Sequence, residues 1–136
     1  DERWKEHLGS YVDNRSGIDA VLAAADALRD FLKLESSYMR AMYILWYESL
    51  GQESEIRNEL AHHHEVYRKE ATEWIRQGIE DGQIDPAINA EQFAVQYCAF
   101  IFGIVYQWLV NADALDLEAV FDEYEANTRK LLSKKR

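Results

Sequence analysis

Apolar residues return every three or four positions over most of the chain, a beat that predicts helices rather than strands. Ile18, Val21, Leu22, Ala25, Leu28 and Leu32 mark one such stripe. Ser16-Gly-Ile-Asp19 precedes it with the spacing of a capping box, the aspartate standing in for glutamate. From about residue 37 to 50 the chain carries Tyr38, Met39, Met42, Tyr43, Ile44, Leu45, Trp46 and Tyr47. A helix apolar nearly all round belongs at the centre of a fold, and Gly51 is placed to end it in a left-handed cap. A third helix is expected from about Glu53 to Asp81, ending at Gly82, with Ile56, Leu60, Tyr67, Ala71, Trp74 and Gly78 on one side. "GQIDPAI" is a clear break, where Pro86 stops the helix. Asn89 then stands as cap of the next run, with Gln92 three residues on. A last helix follows Asp116, with Leu117, Val120, Phe121, Tyr124, Thr128 and Leu131 as its stripe. "KKR" lies at the negative end of its dipole. "DERWKEHLGSYV" at the start reads as another short helix. With no repeat, low-complexity tract or linker, residues 1–136 read as a single all-α domain, a helical bundle of about five to six helices.

The run "FAVQYCAFIFGIVYQWLV", residues 93–110, is interrupted only by Gln96, Gly103 and Gln107. At about 100° per residue these three fall within roughly 20° of one another, and the rest of the circumference is apolar. A bilayer span needs about 20 apolar residues and a basic flank. Here the flanks are Glu91 and Gln92, Asn111 and Asp113, so no membrane is expected. A helix coated this widely must meet its own domain on one side and another protein on the other. Paired with the last helix and a second copy, it would make a four-helix interface across a two-fold axis. Gly103 would let a helix or a ligand come close.

Composition narrows the function. Hydrophobic residues at 48% and charged residues at 29% suit a globular fold rather than a disordered chain. The net charge of −10 sets these residues against DNA, a dense polyanion. The one cysteine, Cys98, lies in the apolar run and reads as a buried, inert thiol. With no signal-peptide core at the start, a cytoplasmic setting is expected.

The segment "RKEATEWIRQGIEDGQIDPAINAEQFAVQYCAFIFGIVYQWLVNADALDLEAVFDEY" carries the pattern "I..GI..G.I", a proline loop, then "A......A...G....WL......DLEA". In this it resembles the C-terminal domain of TetR-type transcriptional regulators. The resemblance covers about the last half of the chain. It implies an effector-binding and dimerisation domain, whose last two long helices form a four-helix homodimer interface. In such regulators a separate helix-turn-helix domain binds operator DNA, and a small molecule enters among the middle helices. No segment here resembles that DNA-reading domain. Residues 1–14 are then expected to be the remnant of a connector helix, with operator DNA reached only through a domain absent here.

Candidate sites follow from the aromatic content. Tyr38, Tyr43, Trp46, Tyr67, Trp74 and Phe100 lie on helices that should converge. With Met42, His63 and Gln96 they are the expected lining for a small hydrophobic or aromatic effector. Tyr97, Ile101, Gly103, Ile104, Val105 and Trp108, together with Leu117, Phe121, Tyr124 and Thr128, are the expected homodimer interface. Histidines 62–64 point about 100° apart on a helix and do not grip one ion, so no metal is expected. Glu59-x-x-His62 supplies half of a carboxylate di-iron site and lacks its counterpart. No phosphate loop or nucleophile elbow is present, so no catalytic residue and no cofactor is expected. The alternatives are a stand-alone dimeric interaction module and a helical metal or cofactor protein.

Overall fold

The stripe beginning at Ile18 is the axis of the molecule. In the computed structural model, which describes residues 2–51 and 55–134, it forms α2, Gly17–Leu34. Ala20, Val21, Ala25, Ala27 and Leu32 have no exposed surface. Alanines give the neighbouring helices close approach, and they keep helix propensity high. Around this axis lie α1 (Glu2–Val12), α3 (Ser36–Ser49), α4 (Glu55–Glu80), α5 (Ala90–Val110) and α6 (Leu117–Leu132). A 3₁₀ turn, Ala112–Ala114, joins the last two. No strand occurs among the described residues. The expected starting residue of α4, Glu53, and the last two residues of "KKR" lie outside the described residues.

Several local expectations are corrected. The central helix is α2, not α3. α3 meets α2, α4 and α5 on one side and leaves Ile44, Leu45, Tyr47 and Leu50 exposed on the other. Ser16 makes no side-chain cap, so the capping box does not form. Gly17 turns the chain into α2 with φ of +60° instead. Gly51 does not adopt the left-handed conformation; Gly82 does, with φ of +84° just past α4. Ile56 is exposed, because the first turns of α4 extend past the core. At the end of α6 it is Leu132, not Leu131, that is buried. The caps at Asn89 and Asp116 do form: their side chains accept from Gln92 N at 2.9 Å and Ala119 N at 3.1 Å.

One end of the bundle is clasped. The loop after α4 lies against the end of α6, where Asp85 N donates to Leu132 O (2.8 Å) and Lys134 N to Gln83 O (3.1 Å). This pairing sends Ile84 into the core, fully buried beside Gly78. A Cβ on Gly78 would overlap the Ile84 side chain and stand 3.2 Å from Gly17 Cα. The first turn of α2 and the last of α4 therefore touch backbone to backbone.

α1 grips the other half of α2. Trp4 sets its ring edge-on to Phe31 at 5.3 Å, and His7 Nε2 bonds Ala27 O at 2.7 Å. Tyr11 donates to Asp30 at 2.5 Å. Burial raises the Asp30 carboxyl, but bonds from Tyr11 and Arg29 outweigh that and hold it below its usual value.

Candidate functional site

A cavity of about 100 Å³ lies between α1, α2, α3, α4 and α5. α1 contributes Trp4 and Leu8, and α2 contributes Ala24, Leu28 and Phe31. Met39, Met42, Tyr43 and Trp46 come from α3, and Tyr67, Glu70 and Trp74 from α4. Tyr97, Cys98, Ile101 and Phe102 on α5 close the wall. These positions recur every three or four residues on each helix, so one face of each is committed to the cavity.

The lining is apolar with few polar groups. Tyr97 donates its hydroxyl to Val21 O at 2.7 Å, which secures it within the core. Burial pushes the Tyr43 and Tyr97 hydroxyls well above their usual range, so both stay protonated. Burial also raises the Cys98 thiol to about 11, which keeps it a neutral, unreactive wall atom. Glu70 is the one carboxylate in the lining, and burial raises its pKa, offset in part by Lys5.

Of the expected ligand residues, Met42, Tyr43, Trp46, Tyr67 and Trp74 line the cavity. Tyr38 does not; it packs edge-on against Phe31 under the Arg3 guanidinium, 5.0 Å from its ring. Gln96 is exposed on the outer side of α5. Phe100 stacks flat on Tyr124 with centroids 3.6 Å apart, bonding α5 to α6 instead. His63 is also exposed, and His64 takes the inner place. The His64 ring lies 4.9 Å from Phe102 and 5.1 Å from Trp46. Its Nε2 has no partner among the described residues, and burial lowers its pKa, so the ring is neutral. Trp4, Leu8, Phe102 and Glu70 are among the lining residues that the sequence reading does not include. For Trp4 and Leu8 the available signal is their four-residue spacing, which puts both on one face of the first helix.

The expected interface residues divide in two. Val105 and Phe121 have no exposed surface, and Tyr97, Ile104, Leu117 and Thr128 are buried. Those six side chains are used within the subunit, Tyr97 and Ile101 lining the cavity besides, so they do not form an outer contact face. Gly103, Trp108 and Tyr124 stay partly exposed. The outer side of α5 instead carries Gln92, Val95, Gln96, Ala99, Gly103, Tyr106, Gln107 and Val110. This stripe has no charge, and Val95, Tyr106 and Val110 are 51%, 47% and 67% exposed. By length and composition α5 could also cross a membrane, but it is partly buried among the other helices. Nothing within 4 Å would meet a Cβ on Gly103.

Residues 17–124 match the family model described as the tetracyclin repressor-like, C-terminal domain. The chain belongs to this family. Its fold is similar to that of a TetR transcriptional regulator from Chloroflexus aurantiacus J-10-FL, with a TM-score of 0.83 at 16% identity. That match covers 98% of this chain and 69% of the other. No curated protein matches the sequence significantly.

In this tetracyclin repressor-like domain the α2–α6 seam holds a second unusual group. Glu125 faces Asp26, and one Glu125 oxygen is buried with no partner among the described residues. Burial, then the hydrogen bond to Asp26 and its charge, push Glu125 from the usual 4.5 up to about 8. The folded state thus holds this proton more tightly than the unfolded chain. The associated stability is fully present below about pH 4.5 and is lost as pH rises through about 8. Part of Glu125 remains in water, which screens the effect to about 1–2 kcal/mol. Glu125→Gln should therefore flatten the fall in urea midpoint between pH 5 and 9; a variant that keeps the wild-type slope would refute this account.

Proposed function

We propose that this domain senses a small hydrophobic effector and pairs with a second copy, as part of a TetR-type transcriptional regulator acting in the cytoplasm. It performs no catalysis. Operator DNA is bound through a helix-turn-helix domain outside these residues, and the effector releases it, making the protein a repressor.

The cavity among the five helices carries this reading. Its walls supply rings and aliphatic side chains for an apolar body and few polar groups to orient it. At about 100 Å³ it is smaller than a ligand pocket in use, commonly about 300–1,000 Å³. A bound effector must therefore move the walls apart. One of those walls is α1, through Trp4 and Leu8. Effector binding then favours one α1 position over another, which is the differential affinity that coupling requires. Such couplings typically amount to about 1–3 kcal/mol. The α5 stripe supports pairing: it carries no charge, and Val95, Tyr106 and Val110 stand exposed among its glutamines.

A thermal-shift screen of small hydrophobic compounds tests the reading. An effector should raise Tm and change the fluorescence of the cavity tryptophans Trp4, Trp46 and Trp74. If no compound in a broad screen does both, the sensing role is refuted.

A further inference from the structure

α3 turns to solvent a side that the subunit does not use. Ile44 is 54% exposed and Tyr47 51%, and Arg40, Ala41 and Glu48 are exposed with them. Ile44 is the midpoint of this set. Arg40 and Glu48 stand four residues before and after it, Ala41 and Tyr47 three before and after. On a helix these spacings put all five on one surface, one turn to each side of the centre. The face therefore runs from a base to an acid across an isoleucine, with a small residue on one side of the centre and a ring on the other.

Neither charge is answered along its own helix. No acid lies three or four residues from Arg40, and no base three or four from Glu48. Arg40 gives one N–H to Leu109 O at 2.9 Å, which ties its side chain across to α5 and leaves its other donors over. The Tyr47 ring lies 5.3 Å from that of Tyr106. Both ends of the face are thus steadied against α5 before anything docks on it.

A contact about a two-fold axis sets a surface against its own reverse. The commonest helix packing lays the four-residue rows of two helices side by side. When two copies of α3 cross antiparallel at Ile44 in this way, Arg40 meets Glu48 of the partner subunit and Glu48 meets the partner's Arg40. Ala41 leaves room where the reversed copy brings the bulk of its tyrosine. Two acids or two bases at the ends would repel on reversal; a base and an acid attract. The net charge of −10 makes most of the surface repel a second copy, which leaves few faces able to receive one.

We propose that α3 is a second self-docking face, on which another copy of this chain lies antiparallel across a two-fold axis through Ile44. It is separate from the pairing along α5 and needs no effector. The face is one helix wide, less than a stable interface requires, so it joins pairs already formed and acts at high local concentration.

Sedimentation equilibrium from micromolar to near-millimolar protein should show the mass rising above that of a pair. Glu48→Arg should weaken this step about tenfold, because attraction turns to repulsion at both symmetric sites. Arg40→Glu should do the same. The double variant reverses the order of charges and should restore the step to within about threefold. A loss caused only by disturbing α3 would not be recovered by a second change eight residues away, and circular dichroism checks the fold of each variant. A wild type that stays a pair at every concentration overturns the α3 contact and leaves the pairing along α5 standing. So does a double variant no better than Glu48→Arg alone. If Glu48→Arg splits the pair itself and the double variant restores it, the α3 contact stands and the one along α5 falls. A wild type that remains a single subunit throughout overturns both.

Discussion

Replacing Gly103 by leucine should leave a folded subunit that no longer pairs. Gly103 lies midway along the uncharged outer stripe of α5, between Ala99 and Tyr106. No atom of its own subunit would meet an added Cβ within 4 Å. Inside the subunit the first carbon of the new side chain therefore meets no obstacle, and replacing glycine improves helix propensity by roughly 0.5–1 kcal/mol. Across the proposed two-fold axis the same side chain would occupy the space a partner helix needs. Overpacking of such a contact costs about 1–3 kcal/mol. Because a two-fold contact repeats the change on both sides, the dimer should weaken by about 100-fold or more. Sedimentation equilibrium measures the pairing and circular dichroism the fold. A variant with undiminished dimer affinity would place the contact elsewhere on the molecule.

The same substitution at Gly78 should severely destabilise the fold. Gly78 sits where α4 reaches the first turn of α2, and its Cβ would overlap Ile84 while standing 3.2 Å from Gly17 Cα. Ile84 is fully buried and held by the paired backbone of residues 83–85 and 132–134, so it has no space to yield. Leucine adds four carbons to a site that does not admit one. The expected loss is about 3 kcal/mol or more, a large share of the stability of a domain this size. Gly78→Ala should give a smaller loss of the same sign. Urea denaturation reads both, and a Gly78→Leu protein with a wild-type midpoint would contradict the packing described here.

These two glycines show what the sequence revealed and what it concealed. Their helical surroundings were legible, because the three-to-four spacing of apolar residues marks a helix wherever it lies. The caps at Asn89 and Asp116 were legible for a similar reason: they depend on neighbours three residues away. Which side of a helix meets what was harder. α3 is richer in large apolar residues than α2, yet α2 is central, because burial follows what surrounds a helix. The alanines of α2 look modest on a hydrophobic scale and are what lets the five other helices close on it. The cavity was half legible. Trp46, Tyr67 and Trp74 could be picked out as rings on converging helices. Phe100 and Phe102, two residues apart, could not be assigned to α6 or to the cavity without knowing the rotation of α5. Glu70 gave no sign at all, since one acid on a charged helix looks like every other.

The clasp formed by residues 83–85 and 132–134 sits at the Gly17 end of α2, whereas α1 holds the same helix around Ala27 and Phe31. The cavity reaches α1 through Trp4 and Leu8. With one extremity pinned, a swelling between α1 and α4 has no freedom to spread evenly. Under the proposed sensing role the pinned extremity would serve as a fulcrum and α1 as the moving arm, so that a displacement beside Trp4 would grow with distance from the clasp.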